Sequence, residues 1–233
     1  LLASHKRVLS RIATGEEKAH MTGQQEARLV ASTAWALATL HEDDQQLLSA
    51  VLAASSASQL LLSSPQDLSN MIWAMATLQS VQEVWFQSFK EAACLRSLEF
   101  EPQHLSNTLW ALAVLGASDS GRLVDSLLCG VSQSLQSLKP RDLAGILWSC
   151  ATLMCTQEKL LEAMEPLVLT LIHELNGQDI AGVAWAFSTM RHSVGATFTA
   201  LAQRGMALLH TLKLAEMSSL VWAMAVVEAV HRD

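Results

Sequence analysis

Among the residues able to do chemistry, tryptophan is the one whose spacing stands out. Six of the seven, Trp35, Trp73, Trp110, Trp148, Trp185 and Trp222, follow one another at intervals of 38, 37, 38, 37 and 37 residues. An indole offers a π-face, a broad apolar surface and one N–H donor, so a regular row of them can pack a core or stack on flat partners. No nucleophile or metal ligand is spaced as well. His41-Glu42-Asp43-Asp44 has the residue types of a metal site, but it falls between two predicted helices, where acids cap the next one, and we read it as a cap. Cys94, Cys129, Cys150 and Cys155 match no zinc spacing and are too few for a disulfide framework, so they read as free thiols in a reducing compartment, Cys150 in the core. Arg191-His192 reads as a cationic last turn. There is no Gly-rich phosphate loop and no nucleophile elbow, and the histidines are scattered. The sequence therefore predicts no enzyme, no cofactor and no metal.

The surroundings of the tryptophans repeat as well. LVASTAWALATL (29–40), DLSNMIWAMATL (67–78), HLSNTLWALAVL (104–115), DLAGILWSCATL (142–153), DIAGVAWAFSTM (179–190) and EMSSLVWAMAVV (216–227) are versions of one segment. Pro65, Pro102 and Pro140 stand eight residues before the Trp, where the missing N–H of a helix first turn costs nothing. Asp67, His104, Asp142, Asp179 and Glu216 follow two residues later, four of the five placing negative charge at the favourable end of the helix dipole. Each unit thus opens with a helix A of about 14–15 residues. A less regular helix B follows, near 44–62, 81–98, 119–138, 157–175 and 194–212, with Pro166 expected to kink the fourth. Residues 4–20 fit an earlier helix B; the first 14 residues, with Lys6, Arg7 and Arg11 and no acid, resemble a transit peptide, but the register with later helices favours the helix. Nothing alternates with period two. The prediction is all-α: an α-solenoid of tandem helical hairpins with about six helices A, in one repeat domain over 1–233. Its units run near 1–26 (partial), 27–64, 65–101, 102–138, 139–175, 176–212 and 213–233 (partial).

A helical wheel assigns roles within helix A. Counting from the Trp, positions −5, −2, −1, +2 and +5 are apolar, as Leu68, Met71, Ile72, Met75 and Leu78 illustrate, and should pack on helix B and neighbouring units. Positions −4, +1 and +3 are almost always Ala or Ser, which lets helices approach closely. A polar stripe runs through −7 (Arg28, Gln66, Gln103, Arg141, Gln178), −3 (Ser32, Asn70, Asn107, Gly145, Gly182, Ser219) and +4 (Thr39, Thr77, Val114, Thr152, Thr189, Val226). It varies while the packing positions hold, as a modular reader of a linear partner requires. We read the six tryptophans, at the edge of this stripe, as structural anchors filling the gap between hairpins, over the alternative of platforms for nucleobases.

Composition narrows the class. The 233 residues are 51% hydrophobic and 16% charged with 10 Gly and 4 Pro, which excludes a disordered or collagen-like chain. The 15 Lys and Arg against 22 Asp and Glu leave a net charge of −7, so no basic coat for nucleic acid exists. No apolar run reaches the ~18–20 residues of a membrane span. A mean hydropathy of +0.27, and ends that carry no polar capping unit, predict docking or continuation at both ends.

These segments, HLSNTLWALAVLG (104–116) above all, with L-W-A-L-A, the Pro eight residues earlier and the 37–38-residue period, resemble octotricopeptide repeats and the related heptatricopeptide repeats of organellar proteins. The resemblance implies an α-solenoid holding single-stranded or fragmented organellar RNA, rRNA or mRNA, on its helix A surface. It implies a place beside other protein subunits in a mitochondrial ribosome or similar ribonucleoprotein, in a mitochondrion rather than a plastid. Carried over, the RNA-facing candidates are the stripe residues Arg28, Ser32, Thr39, Gln66, Asn70, Thr77, Gln103, Asn107, Arg141, Thr152, Gln178, Thr189 and Ser219, with Lys139 and Lys213 near the helix starts. The alternative is a protein–protein scaffold with little or no RNA contact.

Overall fold

A computed structural model describes residues 22–40, 45–117, 119–155, 157–192 and 195–230. The expected helix over 4–20 and the His41–Asp44 cap lie outside the described residues. The chain is all-α, a tandem repeat of helical hairpins, and no strand occurs among the described residues. Helices A are α1 (Gly23–Leu40), α4 (Pro65–Thr77), α6 (Pro102–Val114), α8 (Pro140–Thr152), α10 (Gly177–Thr189) and α12 (Leu214–Val230). Helices B are α2 (Gln45–Ala54) with α3 (Ala57–Leu62), then α5 (Glu83–Arg96), α7 (Gly121–Ser134), α9 (Glu158–Leu171) and α11 (Gly195–Ala207). Single 3₁₀ turns, Ser97–Glu99 and Leu135–Ser137, extend α5 and α7.

Two boundaries differ from the sequence reading. The first helix B breaks at 55–56, because the Ser56 side chain accepts the Gln59 N–H and starts a new helix. The first helix A begins at Gly23 rather than near 27, since Thr22 and Gln25 cap each other: Gln25 N donates to Thr22 Oγ1 at 3.3 Å and Thr22 N to Gln25 Oε1 at 2.8 Å. Pro166 lies inside α9 and does not end it.

The conserved geometry of helix A has local causes at both ends. The residue at −6 reaches back to the backbone three residues earlier. Asp67 accepts from Ser64 N at 3.1 Å, Asp179 from Asn176 N at 3.3 Å and Glu216 from Lys213 N at 2.9 Å. His104 Nδ1 does the same for Glu101 N at 3.2 Å. These side chains satisfy an orphan N–H as well as facing the helix dipole. At the other end, position +6 is left-handed in four helices: Gln79 (φ 51°), Gly116 (φ 63°), Met154 (φ 55°) and Arg191 (φ 56°). The following N–H bonds five residues back, as in Ser80 N to Met75 O at 3.0 Å and Cys155 N to Cys150 O at 2.9 Å. This pair of bonds is the Schellman motif, and it turns the chain into helix B the same way each time.

The contacts divide the chain into two compact units, Leu1–Val131 and Ser132–Asp233. In the first, α1 packs on α4 and α4 on α6; in the second, α8 packs on α10 and α10 on α12. The small residues explain this close lateral packing: Ala34, Ala38, Ala74, Ala76 and Ala111 are fully buried in the first unit, Ala184 and Ala186 in the second. Leu68, Met71, Ile72, Met75, Leu105, Leu109 and Leu112 form the first unit's core beneath them; Leu143, Ile146, Leu147, Ile180, Val183 and Phe187 form the second's. Hairpins are closed by polar staples. Gln59 Nε2 donates to Gly23 O and to Glu26 Oε2, both at 2.8 Å; Arg96 donates to Ser63 O, and Arg204 Nη2 to His173 O at 2.7 Å. Each ties the end of a helix B to the entry of its own helix A.

Candidate nucleic-acid interface

Helical geometry alone gathers the candidate residues. At 100° per residue, positions −7, −3, 0 and +4 fall within an arc of about 60°. The side chain at each of these positions therefore shares one ridge along its helix A. The ridges lie side by side within each unit, because helix A packs on helix A.

All the stripe positions reach solvent. Arg28, Gln66, Gln103, Arg141 and Gln178 are exposed, as are Ser32, Thr39 and Thr189. Asn70, Asn107, Thr77, Thr152 and Ser219 are half-buried. Lys139, at the N-cap of α8, and Lys213, just before α12, are exposed. The hydroxyls are partly used up by their own helix: Ser32 donates to Leu29 O at 3.0 Å, Thr39 to Trp35 O at 2.8 Å and Thr152 to Trp148 O at 2.9 Å. Thr77 Oγ1 is buried with no partner. The amides of Gln66, Asn70, Gln103, Asn107 and Gln178 keep their hydrogen-bonding groups open among the described residues. They are the freest donors and acceptors on the face.

The tryptophans, read from the sequence as anchors between hairpins, stand at the edge of this face. Trp35 is 47% exposed and Trp222 46%, while Trp73, Trp110, Trp148 and Trp185 are half-buried. Four of them meet in pairs across neighbouring helices A. Trp73 and Trp110 have ring centroids 6.3 Å apart with planes inclined by 32°; Trp148 and Trp185 repeat this at 6.3 Å and 35°. Trp85, outside the repeat, is the buried one, stacked on Phe89 at 5.5 Å.

The electrostatics of the face are set by what is missing from it. No Asp or Glu occupies −7, −3 or +4 in any unit. The nearest acids, at −6, are turned into their caps. Burial pushes the Asp142 and Asp179 carboxyls up, opposed by hydrogen bonds from the Lys139 and Asn176 backbone and by the Arg141 charge. Burial pushes His104 down, which favours the neutral ring whose Nδ1 accepts the Glu101 N–H.

Elsewhere, Glu165 joins His192 Nε2 at 3.2 Å and accepts from Thr197 Oγ1, fixing the α10–α11 loop onto α9. Burial raises the Cys150 thiol to about 12, so it is a core residue and no nucleophile. Among the described residues no group of three or more His, Cys, Asp or Glu could hold a metal ion, and no helix is long and apolar enough to cross a membrane.

A family model described as RNA-editing substrate-binding complex 6 protein matches residues 82–232, well over half of the chain. No curated protein matches it.

Proposed function

Because the chain belongs to the RNA-editing substrate-binding complex 6 protein family, we propose that it is a non-catalytic, RNA-holding subunit of a mitochondrial ribonucleoprotein concerned with RNA editing. The observation that carries this reading is the face, within each unit, of half-buried or exposed indoles and unpaired amides, free of carboxylates, on a chain whose net charge is −7. A single-stranded RNA presents bases that stack and edges that hydrogen-bond, and such a row offers both. The likeness to octotricopeptide repeats supports the same face, with a strand running across neighbouring helices A within a unit. An editing-substrate complex is favoured over the mitochondrial ribosome, since the matched family carries that description. No residue is assigned to bond-making chemistry, and no cofactor is needed to hold RNA.

A second reading, as a protein scaffold, gains from one observation. At position −1 Ala34, Ile72, Leu109, Leu147 and Ala184 are buried, whereas Val221 on α12 is 68% exposed beside Leu214 at 80%. That face of α12 suits another helix, and a subunit that braces RNA can use it to dock on protein.

Fluorescence anisotropy with a labelled, unstructured single-stranded RNA tests the main reading. Binding is expected at micromolar protein or better. The cations flanking the row, Arg28, Lys139, Arg141 and Lys213, give a shallow salt dependence, a slope no steeper than about −3 at roughly −0.7 per phosphate contact. No binding at low salt, with protein subunits still captured after nuclease treatment, refutes the RNA reading in favour of the scaffold.

A further inference from the structure

Resting on the RNA-holding reading, we infer that the paired repeat tryptophans, Trp73 with Trp110 and Trp148 with Trp185, are stacking platforms for unpaired nucleobases. They would then carry more of the affinity than the cations do.

Four observations converge. First, the paired indoles stay only half-buried at one repeat position although the chain buries aromatics elsewhere: Phe89 and Phe187 are at 0% exposure and Trp85 at 5%. Second, both compact units build the same pair independently, at 6.3 Å and 32° in one and 6.3 Å and 35° in the other. At that separation and tilt the rings do not cover each other as a face-to-face stack would, so π-surface is left open to a third ring. Third, the six repeat indole N–H groups make no hydrogen bond among the described residues and, unlike that of Trp85, are not buried orphans. A base edge or a ribose oxygen can accept from them. Fourth, the polar side chains flanking each pair are hydrogen-bonders without negative charge, Asn70 and Asn107 in the first unit, Gln178 and the cation Arg141 in the second. No acid is there to repel a phosphate.

An acidic chain has few ion pairs to give RNA, so affinity must come from contacts that do not depend on charge. Base–aromatic stacking is such a contact, and it tolerates any sequence because every base has a π-face. Tryptophan also anchors protein interfaces, which makes a protein partner the competing outcome of the test.

The experiment uses the full chain and two probes of equal length, a single-stranded RNA and the same strand with abasic sites replacing its bases. Wild-type protein should bind the abasic strand on the order of tenfold or more weakly. Trp110→Leu and Trp185→Leu should each lose a similar factor toward the normal strand and lose little further toward the abasic one, with the salt slope unchanged. Arg141→Gln should flatten the salt slope instead. Trp110→Phe should keep most of the affinity lost in Trp110→Leu. Equal binding of the two strands by wild-type protein overturns the inference without any variant, and leaves the RNA reading standing. Leucine variants that melt normally and bind RNA like wild type overturn it too. If neither strand binds, the RNA reading itself has failed.

Discussion

The indole pairs make a quantitative prediction about stability that differs from that of a core tryptophan. Truncating a buried aromatic to alanine costs about 3–5 kcal/mol, because transfer and cavity terms add. Trp73 on α4 and Trp110 on α6 meet as a pair and remain partly in water, so truncation leaves no closed cavity. What is lost is the covered part of the ring, worth on the order of 2 kcal/mol at ~25 cal/mol per Å². Each single variant, Trp73→Ala and Trp110→Ala, should therefore remain folded with a loss of about 1.5–2.5 kcal/mol. The pair itself adds a coupling. At 6.3 Å and 32° the rings touch at a tilt, a geometry worth about 0.5–1.5 kcal/mol beyond burial. The double variant should then cost less than the sum of the singles by that amount. Urea denaturation of wild type, both singles and the double, followed by far-ultraviolet circular dichroism, closes the cycle. A single loss above about 4 kcal/mol would return the indole to the core and refute the reasoning. A coupling of zero would refute the contact between helices.

Two further variants probe the ends of helix A. Met154 is left-handed and 84% exposed, so Met154→Gly should relieve backbone strain at no packing cost and stabilise the second unit by about 0.5–1 kcal/mol, while Gly116→Ala, with open space around it, should cost about 1 kcal/mol in the first; thermal melts of both check the signs. His104, depressed by burial with Glu101 pulling the other way, contributes stability that is present above its unfolded pKa near 6.5 and lost as pH falls through its lower folded value. His104→Gln keeps an acceptor for the Glu101 N–H without titrating, so its melting temperature should fall less than that of wild type between pH 7 and pH 5.

The repeat was legible because it is written in the rarest residue. Six tryptophans at 37 or 38 residues, with Pro65, Pro102 and Pro140 at a fixed distance before three of them, placed helices A to within a residue or two in the central units. Helices B were placed more loosely, since a Leu- and Ser-rich stretch fixes a period but no ends, and Ser56 divides the first of them by capping. The left-handed residue at +6 went unread for a physical reason. Only Gly116 has the residue type that such a turn prefers, while Gln79, Met154 and Arg191 accept the strain because the hairpin around them imposes it. The pairing of neighbouring indoles was unread for a different one: a period along the chain does not say which side chains meet across two helices.

Net charge misleads most about the function of this chain, because a sum over residues carries no positions. Several acids have partners away from the row. Hydrogen bonding to Arg96 holds the Glu99 carboxyl below its usual range, and hydrogen bonding to Lys90 does the same for Asp119. Glu165 serves His192 and Thr197, Glu26 accepts from Gln59, and the −6 acids close their own helix starts. Several cations are likewise spent on structure: Arg96 and Arg204 hold loop carbonyls, and Lys90 lies 4.7 Å over the Phe86 ring. The helix A ridge is left nearly neutral, with Arg28 in one unit and Arg141 in the other among amides and indoles. On the proposed reading, such a surface would hold a strand by stacking and hydrogen bonding rather than by counterion release. Its grip should therefore survive salt that strips RNA from a basic protein, and should weaken when the bases are removed.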